Sequence, residues 1–327
     1  MILGIDISKE HFDVALLNPD AAGKDDKAHH QRFANEPVGF EALAAWLERQ
    51  GVTSSLHACM EATGTYFEAL ALFLHERGHL VSVVNPSATS AFAKSQLSRT
   101  KTDKVDAALI ARFCRTQRPA GWVPAAVELR ELQALVRRLE ALEQMLRMEA
   151  NRLAAGVSSA SVRTSLEEHI RYLEEQMKCT RQLIHEHIQR HPSLKQQSDL
   201  LTSIPGIAEA TAAALLAELS DMQHFGEARQ VAAFAGLVPR IRQSGKSVGK
   251  YAGLSKIGSG RIRKTLFFPA MVAMRFNPCV RALAERLREK GKAKMLIVGA
   301  AMRKLLCIAY GVLKSAQPFD PLWLKAA

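Results

Sequence analysis

Apolar and polar positions alternate from the second residue of the chain. Residues 2–17, ILGIDISKEHFDVALL, read as two β-runs joined by the polar link Ser8-Lys9-Glu10-His11. A helical spacing follows over about 37–49, and a second apolar strand, LHACME, ends at Glu61 before a Gly-containing turn. A helix over about 66–77, a strand over about 79–84 closed by Pro86, and a helical pattern opening at RTKTDKVDA complete the first third. The order hairpin, helix, strand, helix, strand, helix predicts an α/β domain with a mixed sheet over about residues 1–118.

The middle of the chain changes period. Leu129, Leu132, Leu135, Leu139, Leu142, Leu146 and Leu153 recur at three- and four-residue steps among Glu and Arg. Val162, Leu166, Ile170, Leu173, Met177, Ile184 and Ile188 repeat the pattern. The spacing predicts two long helices over about 122–192, turning near Gly156 to Ser161. A narrow apolar seam on charged helices suits an internal hairpin and an oligomer contact equally well. After Pro192 a third, mainly α region is expected over about 195–327. It opens with LTSIPGIA before the helical TAAALLAEL, a sequence that resembles a helix-hairpin-helix turn. There the backbone N–H groups around Pro205 and Gly206 would hold a nucleic-acid phosphate, and an ordinary helix–helix turn is the alternative.

Charge changes this picture more than composition does. The chain of 327 residues is 48% hydrophobic and 23% charged, ordinary for a globular protein, but carries a net charge of +12. Arg240 to Lys304 holds 17 Lys and Arg against 2 Glu, a net of +15, which leaves about −3 for everything else. A local excess of this size implies a polyanionic partner. Within it, residues 233–265 intersperse Gly and small hydroxyl residues with Arg240, Arg242, Lys246, Lys250, Lys256, Arg261, Arg263 and Lys264, and are expected to form a flexible phosphate-contacting loop. The five cysteines are dispersed without metal-ligand spacing, so buried reduced thiols and a cytoplasmic location are expected. No uninterrupted apolar segment reaches about 18 residues, and neither a signal peptide nor a membrane partner is expected.

Four carboxylates stand where solvation alone does not explain them. Asp6 interrupts an apolar strand, which is costly for an ionised group unless it is paired or metal-bound. Glu61 ends another strand. Asp103 and Asp106, three residues apart, share one face of a helix that can pack across both. Taken alone, that last pair also suits a solvated first helical turn. Converging, the four would make a hard-oxygen site for Mg²⁺ or Mn²⁺, and a pair of such ions suits in-line phosphodiester chemistry.

Asp6 in GIDISK, Glu61 in MEATGTY, and Asp103 with Asp106 in RTKTDKVDA resemble the D-E-D-D set of insertion-sequence transposases with a RuvC-like N-terminal domain. That group includes bridge-RNA-guided recombinases and relatives of the Piv-type DNA invertases. The resemblance implies an RNase H-like fold for the first domain and a coiled coil for the middle through which copies associate. It also implies double-stranded DNA as substrate and a structured guide RNA as partner. AGLVPR followed by SGK resembles the C-terminal motif of the same transposases, whose serine is the nucleophile on DNA. Without that likeness Ser244 is one loop hydroxyl among Ser247, Ser255 and Ser259. The expectation is a DNA transposase or site-specific recombinase cutting and rejoining strands through a phosphoserine intermediate. A RuvC-like nuclease using water is the alternative, and a nucleic-acid-binding module without catalysis is a further one that would leave the buried acidic residues idle. GIDIS also resembles the first phosphate strand of actin-like ATPases and sugar kinases, but no second Gly-rich phosphate loop follows it.

Overall fold

The computed structural model describes residues 1–18, 28–62, 64–96, 102–219, 225–244 and 248–322, with backbone alone at 241–244 and 248–252. The chain divides into two compact units, Met1–Pro124 and Ala125–Ala327.

In the first unit β1 (Ile2–Ile7) and β2 (His11–Leu17) form the expected hairpin, with Ser8 Oγ donating to His11 O at 2.6 Å across the turn. β2 continues antiparallel into β3 (His29–Ala34), while β1 runs parallel to β4 (His57–Glu61) and β4 parallel to β5 (Leu80–Val84). The resulting mixed five-stranded sheet has the order β3-β2-β1-β4-β5. The pattern did not announce β3. Its sequence HHQRFA lacks an apolar alternation and it lies exposed at the sheet edge, where pairing with β2 supplies what burial does not. Helices α1 (Pro37–Arg49) and α2 (Glu68–Glu76) cover one face, where Leu3, Ile5, Phe12 and Val14 meet Phe40, Leu43, Leu70 and Leu74. On the other face α4 (Asp103–Gln117) meets Ile2, Ala15, Leu17 and Cys59 through Ala107, Ile110, Ala111 and Cys114. Pro86 does more than close β5. It is the first residue of a further helix, α3 (Pro86–Ser95), whose N-cap Asn85 accepts from Ser87 N at 2.8 Å.

The second unit starts with α5 (Val127–Ala154) and α6 (Ala160–Arg190), each more than 40 Å long at 1.5 Å per residue. Leu132 and Val136 pack near Ile184 and Ile188, and Leu142 packs with Leu173 and Met177, so the two helices run antiparallel. Beyond them α7 (Pro192–Thr202), α8 (Glu209–Glu218), α9 (Ala228–Phe234), α10 (Gly260–Phe276), α11 (Pro278–Glu289) and α12 (Lys294–Ser315) enclose one core. α12 is the one helix among the described residues long and apolar enough to cross a membrane, and 61% of that apolar window is buried inside this core. The stretch expected to be a flexible loop includes a hairpin of β6 (Pro239–Ser244) and β7 (Val248–Leu254). Of the thiols, Cys59 and Cys114 are buried, Cys279 and Cys307 partly so, and Cys179 is exposed, which corrects the expectation that all are interior.

Candidate active site

The sheet places three carboxylates together before any helix is added. Register pairs Asp6 with Asp13 across the β1–β2 hairpin, and pairing of Ile5 with Met60 leaves Glu61 beside Asp6 on the next strand. Alternation then aims Gly4 and Asp6 at the same face. Gly4 has no side chain because α4 lies against it. A Cβ there would stand 2.2 Å from Ala107 O and 2.3 Å from Ala111 N. From Ala107 one turn back along α4 reaches Asp103, about 6 Å, while two residues forward along β1 from Gly4 reach Asp6, a similar distance of about 7 Å. The close approach thus sets the first turn of α4 across the strand ends. Thr102 fixes where that turn begins, its hydroxyl accepting from Val105 N at 3.3 Å. Arg99 and Lys101, flanking cations in the sequence, lie outside the described residues.

The electrostatics follow from this crowding. The Asp6 carboxyl is pushed up to about 6, first by burial, then by the charges of Asp106, Asp103, Glu61 and Asp13. Glu61 is steadied by the buried Thr89 hydroxyl of α3, which donates to its Oε1. Asp13, only 3% exposed, accepts from Arg32 Nε at 3.0 Å. The same guanidinium donates to Asp103 Oδ2 at 2.6 Å, so Arg32 on β3 ties a buried strand carboxylate to the helix turn above it. His11, Asp13 and Asp103 also bring ligand atoms within 4.8 Å of one another, with Arg32 paired to both carboxylates of that group. Carboxylate oxygens are the donors Mg²⁺ and Mn²⁺ prefer, and a cation among Asp6, Glu61, Asp103 and Asp106 would relieve the repulsion that lifts Asp6.

Asp13, Arg32 and Thr89 were not singled out from the sequence. Asp13 left a signal: in ILGIDISKEHFDVALL it stands as far after the polar link as Asp6 stands before it, so any tight hairpin sets the two opposite. Arg32 and Thr89 left none, since the one sits in an unpatterned edge strand and the other in an unexpected helix.

The second unit holds the remaining candidates. Ser244 is the last residue of β6, its backbone opposite Val248, and Arg242 lies opposite Lys250. Lys246 and the Gly245 beside it lie outside the described residues. Arg240, Lys256 and Lys264 are exposed. Arg261 is exposed but sits 3.5 Å from Glu140 and 3.6 Å from Glu218. Arg263 has a structural occupation that the sequence hid: its guanidinium donates to Ala235 O at 2.9 Å and Gly258 O at 3.2 Å. Pro205 and Gly206 form the turn between α7 and α8. Gly206 has φ +108° and lies against α10, where a Cβ would meet Ala273 Cβ at 2.9 Å, so packing alone accounts for glycine there.

Residues 3–160 match the DEDD transposase family of IS110 type, and residues 198–285 match the transposase IS116/IS110/IS902 family. The chain is 36% identical over 324 residues to the pilin gene-inverting protein of Moraxella bovis, covering 97% of each. It is 36% identical over 320 residues to the namesake from Moraxella lacunata, again 97% of each. Identity to the transposase of insertion sequence element IS1328 of Yersinia enterocolitica is 27% over 311 residues, 84% of each chain. The RNase H-like fold that this family implies agrees with the mixed five-stranded sheet, and the kinase-like reading of GIDIS is set aside. The chain belongs to the IS110-type DEDD transposase family and is a DNA recombinase.

Proposed function

We propose that the protein cuts and rejoins double-stranded DNA at a Mg²⁺- or Mn²⁺-dependent site formed by Asp6, Glu61, Asp103 and Asp106, with Ser244 as the nucleophile. The observation that carries the acidic half is a carboxyl at Asp6 raised first by burial and then by the crowding of these carboxylates, a cost to folding that a purely structural site would have no reason to keep. A divalent ion there would supply a Lewis acid for the non-bridging phosphate oxygens. Asp6 and Glu61 project from adjacent strands near their ends. Asp103 and Asp106 ride on α4, with Arg32 keeping Asp103 turned toward the sheet.

Support for Ser244 is its place in the SGK segment and the relatives that match through that region. In the cutting step Ser244 Oγ forms a bond to phosphorus as the bond to one deoxyribose oxygen breaks, and that oxygen takes up the proton the hydroxyl gives away. Joining is the reverse with a new strand end. The phosphodiester is conserved throughout, so rejoining needs no external energy source, whereas attack by water would discard it. The basic stretch from Arg240 onward supplies phosphate contacts, with the Pro205-Gly206 turn as a further one. Inversion of a DNA segment is the outcome favoured among recombination events, because the relatives aligned over 97% of the chain are named for inverting a gene. Guidance by a structured RNA is proposed on family likeness alone. Self-association through the α5–α6 coiled coil is supported by exposed Met148, Val162, Tyr172 and Leu183 on those helices. Five free thiols favour the reducing cytoplasm.

Trapping the reaction should yield a protein–DNA adduct that survives denaturation, needs the divalent ion, disappears in Ser244→Ala and persists in Ser247→Ala. An adduct mapping to another residue, or strand exchange with no adduct, would replace the serine by water or another nucleophile.

A further inference from the structure

We propose that the outward face of α10 is a stacking platform for the bases of an unpaired nucleic-acid strand. This deepens the recombinase reading, since exchanging strands requires that some bases lose their partners during the reaction. α10, GRIRKTLFFPAMVAMRF, contains no carboxylate. Its exposed side chains Arg261, Lys264, Phe268, Val272, Arg275 and Phe276 fall within an arc of about 120° at 100° per residue, while Ile262, Leu266, Ala270 and Ala273 fill the core on the other side. Phe268 is 69% exposed and Phe276 65%, two turns apart on the same face. A single exposed phenylalanine needs no explanation; two on one stripe, with Val272 between them, form a patch that core packing does not account for.

The surroundings of the two rings decide what they are for. Phe267 meets Phe268 edge-on with centroids 5.3 Å apart, which braces that ring from one side. The Arg275 guanidinium lies 5.5 Å from the Phe276 centroid. Interfaces between proteins deplete lysine at their apolar centre, whereas here exposed Lys264 stands one turn before Phe268 and exposed Arg275 stands beside Phe276. Aromatic rings between cations are the combination that holds single strands: the cations follow the backbone, and any base can lie on a ring. Helices reading duplex base edges would instead need polar side chains at the ring positions.

The test uses the full-length protein with a single-stranded oligonucleotide carrying 5-iodouracil, and the same sequence as a duplex. Irradiation should crosslink the strand to a peptide containing Phe268 or Phe276. Phe268→Ala and Phe276→Ala should each weaken single-strand binding roughly tenfold, leave duplex affinity and its salt slope unchanged, and leave thermal unfolding unchanged. Phe268→Tyr should restore binding. Crosslinks mapping elsewhere would overturn the proposal, as would equal losses for duplex and single strand. Unchanged single-strand affinity with loss of self-association, or of binding to anionic phospholipid vesicles, would assign the face to a protein or a membrane instead. Wild-type protein that joins strands without face-dependent single-strand binding refutes this proposal alone. Face-dependent binding by a protein that never joins strands refutes the joining reaction and leaves the platform standing.

Discussion

The two units hold their charge in opposite ways. Residues 1–124 carry 13 Lys and Arg against 14 Asp and Glu, a net of −1, yet five carboxylates crowd one face of the sheet. The rest of the chain carries the remaining +13, spread over exposed helices and a hairpin. Like charges brought together out of water raise one another's energy, so the first unit stores a repulsion that its packing must withstand. Solvated cations lose little by being near each other and cost the fold almost nothing. The difference suggests a division of labour: the first unit spends stability on chemistry at one point, and the second spreads weak, salt-sensitive attraction over a long polyanion.

The largest expected effect breaks or supports the second half of that comparison. Duplex DNA affinity should fall on the order of 10³-fold between 50 and 200 mM salt if about six phosphates are neutralised. Replacing exposed Lys290, Lys292 and Lys294 with Gln should lower the salt slope by close to one for each lost contact, whatever the DNA sequence. Replacing exposed Lys94, Arg49 and Arg77 in the first unit should leave the slope alone. Filter-binding or anisotropy titrations over a salt series measure both, and an equal change from the two sets would dissolve the division.

The next effect concerns how the first unit holds its repelling groups. Gly4→Val places methyl groups where Ala107 O and Ala111 N already stand, and backbone cannot step aside as a side-chain tip can. A loss of about 3 kcal/mol or more in denaturant unfolding is expected, with loss of cleavage because the α4 carboxylates are pushed off the strand ends. Gly311→Ala in α12 is the matched control. It has open space around its Cβ and sits in a helix, so it should gain up to about 1 kcal/mol. A Gly4→Val protein of unchanged stability would mean that α4 does not depend on this contact.

Much of this arrangement could be read from the sequence, and the parts that could not share a cause. β1, β2 and β4 show apolar runs because both faces of the sheet are covered, and a charge inside such a run stands out. Asp6 and Glu61 were visible for that reason. β3 is an edge strand exposed along most of its length, so its residues follow no alternation, and Arg32 was invisible with it. Thr89 leaves no signal because Pro86 reads as the stop of a strand; a proline is equally at home in the first turn of a helix, and only the N-cap Asn85 before it argues for the helix. Arg263 lies among cations that suit phosphate contacts, and its neighbourhood in the sequence does not show that its Nη1 donates to two backbone carbonyls. Composition describes a neighbourhood and cannot say which of its members face inward.

The smallest effect tests the cost of charging Asp6, set first by its burial and then by the neighbouring carboxylates. The Asp6 carboxyl titrates near 6 in the folded protein against 3.8 when unperturbed, so between those values the folded state binds more protons than the unfolded one. Stability of the metal-free protein should therefore decline as pH rises from about 4 to about 6 and level off above. Asp6→Asn keeps the shape, removes one of the repelling charges and should flatten that slope, leaving the metal-free variant at least as stable as wild type at pH 7 while abolishing metal-dependent cleavage. Addition of Mg²⁺ should stabilise wild type more than the variant, because only wild type offers the full set of oxygens. Denaturant melts in chelator across a pH series, repeated with the metal, measure all three. If Asp6→Asn is less stable than wild type at neutral pH without metal, the carboxylate is making a favourable contact that outweighs its neighbours, and the first unit is not storing the repulsion assigned to it.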